Sequence, residues 1–197
     1  DMDLGSGETT KILPLQKEKQ SFTIENVPSK PTPSVLRNFS APVKLETDLS
    51  EEDLVFLMVH DSDGFNRWES GQTYAMRVIN QTIDTGRDVP SKFIEAYGQI
   101  LAQALQPGSD DALAAQALSL PDISIVGQSR SPVDPQAIYD AKYKIEMALL
   151  STHKEKIEEI YNTKRSGKDF LITPDAMGKR ALCNTALRLL TLPRDAK

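Results

Sequence analysis

The spacing of apolar residues changes character near residue 48. Before it, Phe22 and Ile24 alternate with Ser21, Thr23 and Glu25, and Val35, Arg37 and Phe39 alternate with Leu36, Asn38 and Ser40. A period of two puts alternate side chains on opposite faces of a strand. Lys11 to Leu15 follows Gly5-Ser6-Gly7-Glu8 and reads as a short extended segment after a glycine-containing turn. Three such pieces would make only a marginal sheet with unpaired edges, so they read as the end of a larger β-sandwich.

From Ser50 the period becomes helical. Ser50 is a good N-cap with three acids behind it, and Leu54, Leu57 and Met58 form the apolar stripe of a first helix. After Asp61-Ser62-Asp63-Gly64, Phe65, Trp68, Ala75, Met76, Ile79 and Ile83 predict one apolar face of a second helix, which Gly86 stops. A third helix starts near Pro90-Ser91 and ends at Pro107-Gly108. A short fourth is opened by Ser109 and two aspartates.

Residues 120–133 read as a loop with one helical turn. Asp134-Pro135 then opens a pattern through Ile138, Ala141, Ile145, Leu149, Ile157 and Ile160 that fits one long helix or two in line, finishing near Ser166-Gly167. Thr173 and Pro174 start the last helix, which meets Pro193. The expected fold is mainly α with a small antiparallel β segment: incomplete β-sandwich strands over residues 1–47, then an antiparallel, solenoid-like helical array over 48–197.

Four prolines between Asn26 and Leu45 (Pro28, Pro31, Pro33, Pro42) bar any helix from crossing this stretch, because each removes a donor and pushes the residue before it towards extended geometry. Composition adds mainly exclusions. The chain has 197 residues, 39% hydrophobic and 26% charged, with a net charge of -5, which places it in the soluble globular class. No segment gathers the Lys and Arg that phosphate binding needs, so nucleic acid is not an expected partner. No run is long and apolar enough to span a membrane, and Asp1 to Thr10 lacks the pattern of an export signal. A single cysteine, Cys183, rules out an intramolecular disulfide and fits a reducing compartment.

Candidate chemistry is sparse. A zinc peptidase needs two histidines one helical turn apart with a carboxylate between them, and no H-E-x-x-H occurs. His60 reads as a helix-end residue and His153, inside HKEKIEE, as part of a solvated face. Cys183 reads as a buried structural thiol. Asp110-Asp111 and Glu158-Glu159 read as caps and solvated charges, and Arg67 and Glu69 as surface groups or as a pair across a domain junction. The spacing of Trp68 from Phe65, Gln72, Ala75 and Met76 predicts a core anchor whose loss would cost ~3 to 5 kcal/mol. No catalytic, cofactor-binding or metal-binding residue is assigned.

The run Pro33-Ser34-Val35-Leu36-Arg37-Asn38-Phe39-Ser40-Ala41-Pro42-Val43-Lys44-Leu45, the segments Ser50 to His60 and Phe65-Asn66-Arg67-Trp68-Glu69, and the later Asp134-Pro135 to Tyr161-Asn162 and Lys179 to Asn184 resemble the bacterial aminopeptidase N family of zinc metallopeptidases. The resemblance implies the end of an immunoglobulin-like third domain followed by the first half of a helical fourth domain. It further implies a cytoplasmic parent enzyme that releases N-terminal residues from peptides. The catalytic domain of the same polypeptide, roofed by this segment, would be the partner. The family's zinc-binding helix, distal glutamate ligand and substrate loop all precede this stretch, so zinc belongs to the parent and no catalytic residue carries over. The alternative is an independent α-helical scaffold that binds a partner through its concave side. A cut sheet further predicts self-association through residues 1–47 or disorder of the first ten residues.

Overall fold

The computed structural model describes residues 11–25, 27–165 and 170–192. The expectations for the first ten residues, for the glycine turn at 5–8 and for the helix ends at 166–167 and Pro193 fall outside that set. The chain divides into two compact units, Asp1–Pro33 and Ser34–Lys197.

In the first unit the described residues are extended or bent, and Gln20 ties them locally: its Oε1 accepts from the Gln16 N–H at 3.0 Å and its Nε2 donates to the Pro14 carbonyl at 3.2 Å. Phe22 and Ile24 are 40% and 45% exposed. The small antiparallel β segment is not formed among the described residues. The alternation near Phe22 is real, but a strand needs a neighbour for its ladder, and none of the described segments supplies one. At residues 35–40 the reason is different. Leu36, Asn38 and Phe39 adopt left-handed backbone (φ 57°, 54° and 53°), and Arg37–Phe39 form a single 3-10 turn in place of a strand.

The second unit otherwise consists of seven helices among the described residues: α1 Glu51–His60, α2 Gly64–Thr85, α3 Ser91–Ala104, α4 Asp111–Ala117, α5 Ile123–Gln128, α6 Pro135–Lys164 and α7 Pro174–Thr191. Most start where the sequence places a cap. Ser50 Oγ accepts from the Asp53 N–H while Asp53 Oδ2 accepts from the Ser50 N–H, both at 3.1 Å, which closes a capping box at α1. Asp134 and Thr173 cap α6 and α7 with proline in the first turn. Gly86, at φ 66°, ends α2 in the left-handed conformation that favours glycine. The stretch 120–133, expected as a loop with one turn, contains α5.

The core is one cluster in which α3 and α6 are central: Phe93, Tyr97, Ile100 and Leu101 meet Ile138, Ile145, Leu149, Ile157 and Ile160, all at most 2% exposed. Tyr97 is buried here because its hydroxyl donates to the Leu118 carbonyl at 2.6 Å. α6 is two helical stretches in line, joined across a kink at His153 (φ −119°, ψ 21°). At the kink the imidazole Nε2 donates to the Ile94 carbonyl at 2.8 Å and the ring fills the space beside Gly98, where a Cβ would lie 2.4 Å from His153 Cε1. His153 is therefore packed between helices and is not on a solvated face.

α2 departs most from its sequence reading. Its buried side is Asn66, Ser70, Gly71, Tyr74, Ala75, Val78, Ile79 and Thr82. Phe65 and Trp68 lie off this stripe. In the first two turns of α2 the inward positions are polar or small, so the apolar residues there face elsewhere.

Candidate functional site

Phe65, Trp68 and Gln72 recur at helical spacing and form one wall of an open groove of about 1010 Å³. Ala112, Ala115 and Gln116 of α4 line it, and Pro174, Met177, Gly178 and Ala181 of α7 form the opposite side. Gly178 lets α7 approach α4, since a Cβ there would stand 3.0 Å from the Ala112 backbone nitrogen. Among the described residues no charged side chain lines this groove. A smaller cavity of about 330 Å³ continues it past Phe65, Trp68 and Gln116 to Gly64, Leu113, Phe39 and the charged Asp110. The three rings meet in sequence at tilted angles, Phe39 to Phe65 with centroids 4.2 Å apart and planes 45° apart, and Phe65 to Trp68 at 5.6 Å and 42°.

Trp68 is thus half-buried at a groove and is not among the buried core residues. The core-anchor reading is corrected: the spacing identified its neighbours Phe65 and Gln72, but those neighbours share the groove with it.

A polar knot holds Phe39 in place. Arg37 Nη1 donates to Asp61 Oδ1 at 2.9 Å and to Ser34 Oγ at 3.1 Å, and Nη2 donates to Ser62 Oγ at 2.7 Å. Asn66 Nδ2 donates to Ser34 Oγ at 2.9 Å and to the Val35 carbonyl at 3.0 Å. The Asn38 N–H donates to Asp63 Oδ2 at 3.0 Å, and Asp63 Oδ1 caps α2 through the Asn66 N–H at 2.9 Å. Burial alone would raise the Asp63 carboxyl, but the Asn66 and Asn38 N–H groups and the Arg37 charge outweigh it and hold it below the ordinary aspartate range. These bonds over-determine a turn with three non-glycine residues at positive φ, a conformation costing on the order of 1 kcal/mol or more at each such residue.

The other candidates are scattered. His60 ends α1, exposed beside the Phe56 ring. Cys183 is half-buried with Sγ 3.9 Å from the Tyr161 carbonyl oxygen, and burial, partly offset by Arg165, pushes its thiol up, away from a reactive thiolate. Asp110 caps α4 through the Leu113 N–H. Asp111 is not a solvated charge: it is buried and paired with Lys164 at 2.6 Å. Arg67 turns to Gln103 of α3 at 2.5 Å and so serves the helical array, while Glu69 is exposed. Among the described residues no three His, Cys, Asp or Glu side chains are grouped to hold a metal ion. The described residues offer no donor set that would fit zinc. No helix among the described residues is long and apolar enough to cross a membrane.

A family model described as "Domain of unknown function (DUF3458_C) ARM repeats" matches residues 51–197. The chain belongs to this family. Residues 2–48 match the companion model, "Domain of unknown function (DUF3458) Ig-like fold". As a DUF3458_C member the chain is similar to aminopeptidase N of Escherichia coli (29% identity over 191 residues, 94% of this chain and 22% of that protein). It is similar also to aminopeptidase N of Caulobacter vibrioides (29% over 183 residues, 92% of the chain and 21% of that protein). The crystal structure of Legionella pneumophila aminopeptidase A in complex with aspartic acid shares the fold, with TM-score 0.73 and 24% identity over 87% of this chain and 21% of that one. The DUF3458_C chain therefore spans about a fifth of the length of the relatives it matches. It resembles the C-terminal part of bacterial aminopeptidase N.

Proposed function

We propose that this chain is a non-catalytic, C-terminal part of a longer cytoplasmic zinc aminopeptidase that releases N-terminal residues from peptides. In this reading the Ig-like stretch leads into the helical array, and the array packs on and roofs the catalytic domain of the same polypeptide. The observation that carries it is the coverage: more than nine-tenths of this chain aligns with curated aminopeptidases N, yet accounts for about a fifth of each. The described residues fit the non-catalytic part of the reading. Their histidines and cysteine serve packing or lie apart, and their buried carboxylates, Asp61, Asp111 and Glu146, are each paired with a cation.

The test is to express the full-length polypeptide that contains this sequence beside the 197-residue chain. Both are assayed on aminoacyl chromogenic substrates and for zinc after dialysis. The full-length protein should hydrolyse the substrates and hold zinc, and the chain alone should do neither. Zinc tightly held by the 197-residue chain, or an inactive full-length protein, would overturn the proposal.

A further inference from the structure

We infer that residues 34–40 are a strap with two positions, latched as seen here by Arg37 on Asp61 and released when Arg67 of α2 takes Asp61 in its place. The device stands independently of the reading of this chain as part of an aminopeptidase.

Three observations carry it. The first is strain without burial. Leu36, Asn38 and Phe39 hold left-handed backbone at φ 57°, 54° and 53°, yet the turn Arg37–Phe39 buries no residue and Phe39 is 69% exposed. Strained non-glycine residues persist only where their surroundings hold them. Here the hold is a set of hydrogen bonds to the corner between α1 and α2, from Arg37 to Asp61 and Ser62, from the Asn38 N–H to Asp63, and from Asn66 to the Val35 carbonyl. With these bonds undone the backbone relaxes to ordinary φ.

The second is the charge at the centre of those bonds. The Asp61 side chain is 1% exposed, and Arg37 is the cation paired with it. Taking one partner from a buried pair leaves an uncompensated charge, which costs far more than a surface contact contributes. The strap therefore stays latched unless another cation takes Asp61.

The third names that cation. Among the described residues two buried side-chain atoms have no hydrogen-bond partner, Asp61 Oδ2 and Arg67 Nε. One is an acceptor and the other a donor, they carry opposite charge, and both belong to the same corner. Arg67 Nη2 donates to Gln103, whose own Nε2 donates to the Val59 carbonyl, two residues before Asp61. Unmet buried groups are rare and call for a cause. An arrangement in which Arg67 Nε donates to Asp61 Oδ2 satisfies both at once and frees Arg37 together with the strap. Release then takes Phe39 off Phe65 and removes its wall from the smaller cavity, while the helices stay in place.

The test is NMR of the 197-residue chain and its Arg37→Gln variant, read at the Arg67 Nε–H resonance and by amide hydrogen exchange. In the variant the Arg67 Nε–H should move downfield and exchange more slowly with solvent as it bonds to Asp61. The Asn38 and Ser40 amides should exchange about tenfold faster or more, as expected for a local opening. The Asp61 amide, bonded to the Leu57 carbonyl, and the Ile100 and Leu101 amides of α3 should change by less than about twofold. An unmoved Arg67 resonance would overturn the inference. So would a strongly accelerated Asp61 amide, which means that nothing replaces Arg37, or lost protection across α3, which means that the strap opens only with the whole fold. Arg67→Gln carries the opposite expectation: the strap amides should exchange several-fold more slowly than in the unaltered chain, because the released state has lost its cation. Equal or faster exchange there would contradict the swap of partners.

Discussion

The α3–α6 core and the α2–α4–α7 groove both present aromatic rings and differ in what covers them. Phe93 is 2% exposed and packs edge-on against Tyr74 at 5.3 Å, while Phe65 is 36% exposed and meets, at a tilt, a phenylalanine that is itself mostly in solvent. Apolar spacing says that a residue wants cover. It does not say whether the cover is in the same chain segment. In the core the answer is yes, and burial stabilises the fold; in the groove the cover is missing, and the same residue types are left as a surface.

The comparison breaks most visibly on truncation. Phe93→Ala should cost about 3 to 5 kcal/mol in denaturant unfolding, as for large-to-small changes in packed interiors. A cost under about 1 kcal/mol would mean the α3–α6 region is no better packed than the groove. Next, Gly98→Ala drives a methyl into the His153 ring and should cost about 1 to 3 kcal/mol, as overpacking does. His153→Ala in the same chain should recover part of that loss, and additive costs would contradict the contact.

Smaller effects are expected at the groove's polar support. Asp63 has its carboxyl held down in the folded state, so its contribution to stability is present above the ordinary aspartate pKa, about 3.9, and is lost as pH falls through its own lower value. Asp63→Asn keeps the oxygen that caps α2 but sets an NH2 donor against the Asn38 N–H, so it should cost about 1 to 2 kcal/mol at neutral pH. It should also flatten the acid limb of the stability curve; an unchanged limb would show that Asp63 is not coupled to folding. Between the two ring truncations, Trp68→Ala in the 197-residue chain should cost clearly less than Phe93→Ala, about 1 to 2 kcal/mol, because the indole is only half-buried.

Much of the helical array was legible in the sequence because its signals are local. Ser50, Asp134-Pro135 and Thr173-Pro174 start helices through bonds that span three residues, and Gly86 stops α2 by its own backbone. What was not legible depends on distant partners. Asp111 looks like a capping acid until Lys164, 53 residues away, reaches it. His153 sits in a charged run and is decided by Gly98 and Ile94. Along α2 the apolar pattern misled, because Asn66 faces inward to satisfy Ser34 and Val35 and so turns Phe65 and Trp68 outward. The alternation at 35–40 was overridden by the same knot, which bends Arg37–Phe39 into a turn. The groove left one trace in the sequence, the spacing of Phe65, Trp68 and Gln72, which a core stripe would share.

The central claim is that this chain carries an apolar groove uncovered in isolation, and Trp68, the one tryptophan among its 197 residues, reports on it directly. Acrylamide quenching of tryptophan fluorescence in the folded 197-residue chain is the measurement. The groove predicts red-shifted emission and quenching that is a substantial fraction of that in the guanidinium-unfolded chain. A blue-shifted emission with almost no quenching would place Trp68 inside the core and contradict the account.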